Sequence, residues 1–171
     1  MNMGLFDKLF KKEELPEQNF ADGEVVAYLA GKRLPTAEIS DPMFAEEMMG
    51  PTIAIVPSAK KSTVVSPVNG TAMVVFPTGH AFGIETPDGY QYLVHIGIDT
   101  VNLKGQGFKV LTKQGETVKA GQPMVEVNFQ SIRDAGYDPV TMLIVTMVPE
   151  DHQPVEFKDF DEVKLGDIIN K

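Results

Sequence analysis

One hairpin constrains this chain more than any other stretch. Thr78-Gly79-His80-Ala81-Phe82-Gly83-Ile84-Glu85 and Tyr90-Gln91-Tyr92-Leu93-Val94-His95-Ile96-Gly97-Ile98-Asp99 carry β-branched and aromatic residues at period two. That pattern belongs to half-buried strands. Between them stands Thr86-Pro87-Asp88-Gly89. Proline presets φ for the first central turn position, aspartate suits the second, and glycine takes φ > 0. The chain has three histidines, and two of them, His80 and His95, fall here, one on each arm.

The turn sets the register, and the register sets what the two rings do. A two-residue loop at Pro87-Asp88 puts His80 directly opposite His95. A three-residue loop with a bulge at Gly89 shifts the pairing by one and sends the rings to opposite faces. On the first arm His80, Phe82 and Ile84 share a face; on the second Gln91, Leu93 and His95 do. The two-residue register is favoured here, because it brings two imidazoles within contact range. Paired imidazoles divide labour readily: one neutral ring is a nucleophile while the other supplies a hydrogen bond. With a pKa of about 6.5, roughly three quarters of such a side chain is neutral at pH 7. A zinc site is the second reading, but two ligands are too few to close one.

Length and composition bound the rest. A chain of 171 residues suits one domain with a sizeable core. No cysteine is present, which removes disulfides, thiolate metal sites and cysteine nucleophiles. That allows a cytoplasmic setting, which is the expected location. No apolar run approaches a membrane span and no signal peptide is visible. A net charge of −9 and a pI near 4.8 argue against a nucleic-acid partner and suit docking onto basic protein surfaces.

The chain in order predicts many short strands. Residues 1–22 read as a flexible N-terminal segment and linker. Leu5, Phe6, Leu9 and Phe10 at helical spacing, with Lys8, Lys11 and Lys12, allow at most weak peripheral membrane contact. Residues 23–171 read as the domain. Gly23–Leu29 is expected to be the first strand and Gly31–Pro35 a turn. Asp41-Pro42 caps and starts a short helix that ends at Gly50-Pro51. Its Phe44, Met48 and Met49 suit core packing or, as the alternative, an adaptable docking surface. Thr52–Pro57 and Thr63–Ser66 are strands, with Lys60–Ser62 a solvated loop. Asn69-Gly70 signals a type I′ hairpin returning through Ala72–Phe76. Pro77 then delivers Thr78 and His80.

Residues 101–107 read as a structural turn, since their glycines match neither a P-loop nor a dinucleotide fingerprint. Asn128 caps a short helix through Phe129 and Ile132 that ends near Gly136. Val140–Val148 is a central strand, and His152 has no assigned role. Glu116-Thr117-Val118-Lys119-Ala120-Gly121-Gln122-Pro123-Met124-Val125 and Asp161-Glu162-Val163-Lys164-Leu165-Gly166-Asp167-Ile168-Ile169 form a weak repeat. The expected fold is therefore all-β. It is a compact antiparallel sandwich or barrel with duplicated β-units and one or two short helices.

The segments 78–85 and Leu93-Val94-His95-Ile96-Gly97-Ile98-Asp99-Thr100 resemble the two signature segments of the glucose-type enzyme IIA component of the bacterial sugar phosphotransferase system. The likeness continues through Lys104-Gly105-Gln106-Gly107-Phe108, and upstream through Ser66-Pro67-Val68-Asn69-Gly70-Thr71. It spans roughly residues 20 to 169. The opening Met3–Leu9 also resembles the start of the enteric member. The resemblance implies the same all-β fold and a phosphoryl carrier that needs no cofactor and no metal.

Phosphate would arrive from the phosphohistidine of HPr and leave for a cysteine on the IIB domain of a sugar permease. By position His95 matches the phosphoryl acceptor, carrying a tele-phosphohistidine. His80 matches its stabilising partner, and Thr78 the residue that orients His80. Phe44, Met48, Met49, Phe76, Gly97 and Val101 are the candidate partner-binding residues, expected to form an exposed collar with backbone N–H groups near Gly97 open to phosphate. Gly79 and Gly83 replace larger polar residues of the enteric protein, which bears on partner choice. Enteric relatives also bind transporters and metabolic enzymes, so a regulatory binding module is the alternative that the resemblance implies. A monomer is expected. A zinc peptidase lacks its His-x-His here, and a lipoyl or biotinyl carrier lacks a lysine at the 86–89 turn.

Overall fold

The computed structural model describes residues 14–171. The amphipathic pattern read at Leu5–Lys12 lies outside the described residues. Among the described residues, eleven strands form two antiparallel sheets. The first is an eight-stranded sheet in the order β11-β1-β2-β10-β6-β5-β4-β8, and the second a three-stranded sheet in the order β3-β9-β7. The strands are β1 (Gly31–Leu34), β2 (Thr52–Pro57), β3 (Lys61–Val65), β4 (Gly70–Val75), β5 (Ala81–Glu85) and β6 (Gln91–Ile96). They continue with β7 (Phe108–Val110), β8 (Thr117–Val118), β9 (Pro123–Asn128), β10 (Thr141–Met147) and β11 (Glu162–Val163). Two short helices complete the set, α1 (Pro42–Ala45) and α2 (Phe129–Asp134). An all-β fold with duplicated units and two short helices is what the strand pattern predicted.

The two sheets enclose one main core. Phe82, Ile84, Val94, Ile96 and Leu143 of the large sheet meet Val64, Val125 and Val127 of the small one. Strand alternation turns the other face of β6 and β10 outward, and there Met142 and Ile144 pack with Phe44, Ile39 and Ala54 in a second, smaller cluster. Helix α1 roofs this cluster. Asp41 caps it as expected, its Oδ1 accepting from the Met43 N–H at 2.9 Å, with Pro42 at the first position. Phe44 is thereby pinned above the sheet. The Asn128 cap of α2 also forms, accepting from the Ser131 N–H at 3.0 Å.

Four local expectations fail. Gly23–Leu29 is not a strand: Gly23 lies in an exposed turn, Val25–Leu29 is a buried run with one bridge, Val26 to Ile168, and the first strand begins at Gly31. Gly31, expected in a turn, instead serves close approach of β1 to its neighbour; a Cβ there would sit 1.9 Å from the Val56 carbonyl oxygen. Asn69-Gly70 makes no hairpin, because β3 and β4 belong to different sheets. Asn69 instead ties segments together, donating from Nδ2 to the Phe20 carbonyl and accepting at Oδ1 from the Ala120 N–H. Its turn chemistry is used for long-range bonds instead of a tight reversal. The loop read at Lys60–Ser62 also gives way, since β3 begins at Lys61.

The weak repeat is structural. Gly121 N–H donates to the Ser66 carbonyl while Ser66 N–H donates to the Gln122 carbonyl. The second copy repeats the arrangement, Gly166 N–H to Ala27 and Ala27 N–H to Asp167. The two recipient segments cross each other, Val65 N–H bonding Tyr28 and Val26 N–H bonding Pro67. Pro16 and Phe20 lie over both Gly121 and Gly166, so residues just before the domain pack onto its body.

Candidate functional site

The hairpin closes with the longer loop. Glu85 pairs with Gln91, Ile84 with Tyr92 and Ala81 with His95. Thr86 N–H donates to Tyr90 and Gly89 N–H donates back to Thr86, with Gly89 at φ +96°. This is the three-residue loop, and the favoured two-residue register is corrected. The glycine settles it: its positive φ is accessible without a Cβ, and a bulge there matches the right-handed strand twist.

The rings nevertheless meet. His80 and His95 lie 5.4 Å apart between centroids, at 78° to each other. Alternation would have sent His80 inward with Phe82 and Ile84. However, β5 begins only at Ala81, and the preceding residue, Gly79, takes φ +76°. The His80 carbonyl still accepts from the Ile96 N–H at 2.7 Å, while its ring leaves strand parity and turns toward His95. Face assignment by counting therefore fails one residue outside the ladder.

Each imidazole has one nitrogen tied down. His95 Nδ1 lies 2.8 Å from the Gly97 carbonyl oxygen. A carbonyl only accepts, so Nδ1 carries the proton and the lone pair sits on Nε2. His80 Nδ1 lies 2.6 Å from Thr78 Oγ1, which both donates and accepts. Aromatic rings flank both: Phe44 is 5.0 Å from His95, and Phe76 is 5.0 Å from His80. Burial pushes the His95 pKa below its ordinary value, opposed by the Gly97 carbonyl and by the charges of Asp41 and Asp99. His80 is lowered too, by burial and then by the neighbouring ring. Both rings are neutral near pH 7, the state a nucleophile and a hydrogen-bond donor need.

The collar is partly as expected. Met48 is 69% exposed, Val101 49% and Phe76 40%, so these three present apolar surface. Phe44 is only 4% exposed and Met49 is half-buried. Phe44 therefore touches His95 rather than solvent. Gly97 is buried at φ +75°, its N–H already donating to Val140, and the Ile98 N–H donating to Asp138. The expected open N–H groups at Gly97 are thus taken, and its contribution is the carbonyl. Gly79 and Gly83 are buried as well: a Cβ at Gly79 would meet Phe108, and one at Gly83 would meet Val74 and Met73. Neither faces a partner. Asp41, whose charge acts on His95, carries in the sequence only the signal of a helix cap.

A pair of adjoining imidazoles, one with its Nδ1 proton held by a backbone carbonyl, on an antiparallel β-sandwich is an arrangement suited to carrying a phosphoryl group. The profile of the phosphoenolpyruvate-dependent sugar phosphotransferase system, EIIA 1, matches residues 23–150, and the chain belongs to this family. It is 34% identical over 163 residues to the glucose-specific EIIA component of Staphylococcus epidermidis, covering 95% of each chain. It is 39% identical over 142 residues to that of Staphylococcus aureus, covering 83% of this chain and 82% of that one. It also matches the glucose-specific EIICBA component of Staphylococcus carnosus at 37% over 147 residues, spanning 21% of that longer protein. Among solved structures, the glucose permease IIA from Mycoplasma capricolum superimposes with a TM-score of 0.77 at 34% identity, covering 86% of this chain and 93% of that one. The chain is a phosphoryl carrier of a sugar phosphotransferase system. Among the described residues no helix is long and apolar enough to cross a membrane.

Proposed function

We propose that His95 accepts the phosphoryl group at Nε2 from phospho-HPr and passes it to a cysteine of a permease IIB domain. The observation that carries this reading is the bond from His95 Nδ1 to the Gly97 carbonyl, which leaves the lone pair on Nε2, with the His80 ring 5.4 Å away between centroids. As the Nε2–P bond forms, the donor's own N–P bond breaks. Positive charge grows on the His95 ring and is held by the same carbonyl. In the second step a thiolate sulfur bonds phosphorus and the neutral His95 ring leaves. Exchange between two histidines is nearly balanced in energy, so positioning and charge stabilisation suffice.

His80 stabilises the bound group. With Thr78 donating to its Nδ1, His80 presents an Nε2–H to a phosphoryl oxygen; the 2.6 Å contact supports that role for Thr78. Met48, Val101 and Phe76 supply an apolar rim against which carriers dock, with Met49 behind them. Phe44 and Gly97 act from beneath, through His95. The sugar is glucose or a close relative, by analogy with the glucose-specific proteins above. The carrier domain runs over 23–171, supported by the matched span and by the bridges that tie Val26 to Ile168 and Phe157 to Asn170. It acts in the cytoplasm, as a monomer.

Label transfer from radioactive phospho-HPr tests the assignment. His95→Ala should take up no label, whereas His80→Ala should be labelled yet pass phosphate on poorly. Retained labelling of the folded His95 variant would refute the reading.

A further inference from the structure

We infer that Thr100 is a positioning residue for the phosphoryl transfer, holding the proton of His95 on Nδ1 through the backbone. The inference rests on the reading of His95 as the acceptor. The geometry starts at Gly97. Its φ of +75° leaves a residue without a Cβ free to adopt many other conformations. Rotation there would swing the carbonyl away from the imidazole.

Two consecutive peptide units prevent that rotation, each gripped at both ends. The unit joining Ile96 to Gly97 has its N–H bonded to the Val140 carbonyl at 2.9 Å, and its C=O accepts from the Thr100 hydroxyl. The unit joining Gly97 to Ile98 has its N–H bonded to the Asp138 carbonyl at 3.0 Å, and its C=O accepts from His95 Nδ1. Of the four grips, two are backbone carbonyls and one is the imidazole itself. The remaining one is the only supporting side chain, Thr100, which is fully buried. Its methyl adds a second constraint: a Cβ on Gly97 would lie 2.4 Å from Thr100 Cγ2, so the glycine backbone is packed directly against it.

The grip also reaches the partner ring. Ile96 N–H donates to the His80 carbonyl at 2.7 Å, so one residue is strung between the backbone of His80 and the hydroxyl of Thr100. Through Ile96 the Thr100 bond thus extends to the backbone carbonyl of His80. A released Gly97 carbonyl would let neutral His95 populate the other tautomer, with its lone pair on Nδ1 facing the protein and no nucleophile toward the carrier.

The test compares Thr100→Val, which removes the hydroxyl and keeps the volume, with Thr100→Ser, which keeps the hydroxyl. Nitrogen chemical shifts of His95 in the unphosphorylated full chain read the tautomer directly. Wild type should show a protonated Nδ1 and a free Nε2. Thr100→Val should show a mixture, with phosphoryl acceptance from phospho-HPr reduced about five- to tenfold, the size expected for one lost buried hydrogen bond. Thr100→Ser should recover the wild-type shifts. If folded Thr100→Val keeps the wild-type tautomer, or if Thr100→Ser loses it equally, the inference is overturned. The tautomer is measured without any phosphate, so a failure of His95 to accept phosphate would strike the functional reading instead.

Discussion

The two arms of the central hairpin hold their histidines by opposite means. His95 stands within β6, and its Nδ1 is bound to a backbone carbonyl in a turn gripped on several sides. His80 stands just outside β5, and its Nδ1 is bound to a side-chain hydroxyl. A carbonyl permits one role only and fixes a tautomer. A hydroxyl rotates and serves either role, so it tolerates both a neutral ring and an imidazolium. Rigidity suits the ring that must keep one lone pair aimed outward. Adaptability suits the ring that meets a charge of roughly minus two when the phosphoryl group arrives and must release it afterwards.

That contrast is broken most severely by replacing the adaptable ring. His80→Gln should leave acceptance by His95 largely intact and slow onward transfer to the IIB domain about a hundredfold, the usual loss for one well-aimed donor to a transferring group. Single-turnover transfer assays separate the two steps; equal loss in both would mean that the rings do not divide the work. Thr78→Val should give a milder version, about five- to tenfold on onward transfer, because only the orienting hydrogen bond is lost.

The rigid side is tested through Gly97. Gly97→Ala forces a residue with a Cβ into φ +75° and against Thr100, and should destabilise the fold by about 2 kcal/mol in urea titration. A neutral effect would mean that the turn is looser than the contacts imply.

Acidity sharpens the comparison further. Both histidines have folded pKa values lowered by burial, so the unfolded chain binds more protons in the range just below the ordinary value. Stability from these groups is complete above about pH 6.5 and declines as pH falls through the window beneath it. The double variant His80→Gln/His95→Gln should flatten that part of the stability profile; an unchanged slope would assign it to other groups. Least in size is Asp41→Asn. Asparagine caps α1 equally well, so the helix stays. Loss of the charge should move the His95 pKa further down, read from its ring-proton titration, and no movement would remove Asp41 from the site's electrostatics.

Much of this architecture could be read in the residues, and the misses have a common cause. Thr52–Pro57 forms a strand over the expected residues, and both caps, Asp41 and Asn128, work as their side chains predict. These are local matters, decided within a few residues. Asn69-Gly70 has equally strong local chemistry, yet partners 49 and 51 residues away in sequence claim its side chain. Val25–Leu29 has the composition of a strand but lies at the crossing of the two repeats, where hydrogen bonds to Pro67 and Asp167 replace a ladder.

The site was legible in its residues and not in its geometry. His80, His95 and Thr78 come together as the motif led one to expect. The route by which they meet was hidden, because positive φ at Gly79 and Gly89 governs both the register and the ring direction. Motif position puts Phe44 on the docking rim, whereas the proline-started helix buries it against the His95 ring. Thr100 left no mark beyond its place in the motif, since its effect passes through two peptide planes that no spacing rule describes.

The most direct measurement is nitrogen- and phosphorus-resolved NMR of the intact chain after phosphorylation by phosphoenolpyruvate, enzyme I and HPr. The account predicts a single phosphorus bonded to Nε2 of His95, with a proton retained on Nδ1. Phosphorus on Nδ1 of His95, or on His80, would contradict it.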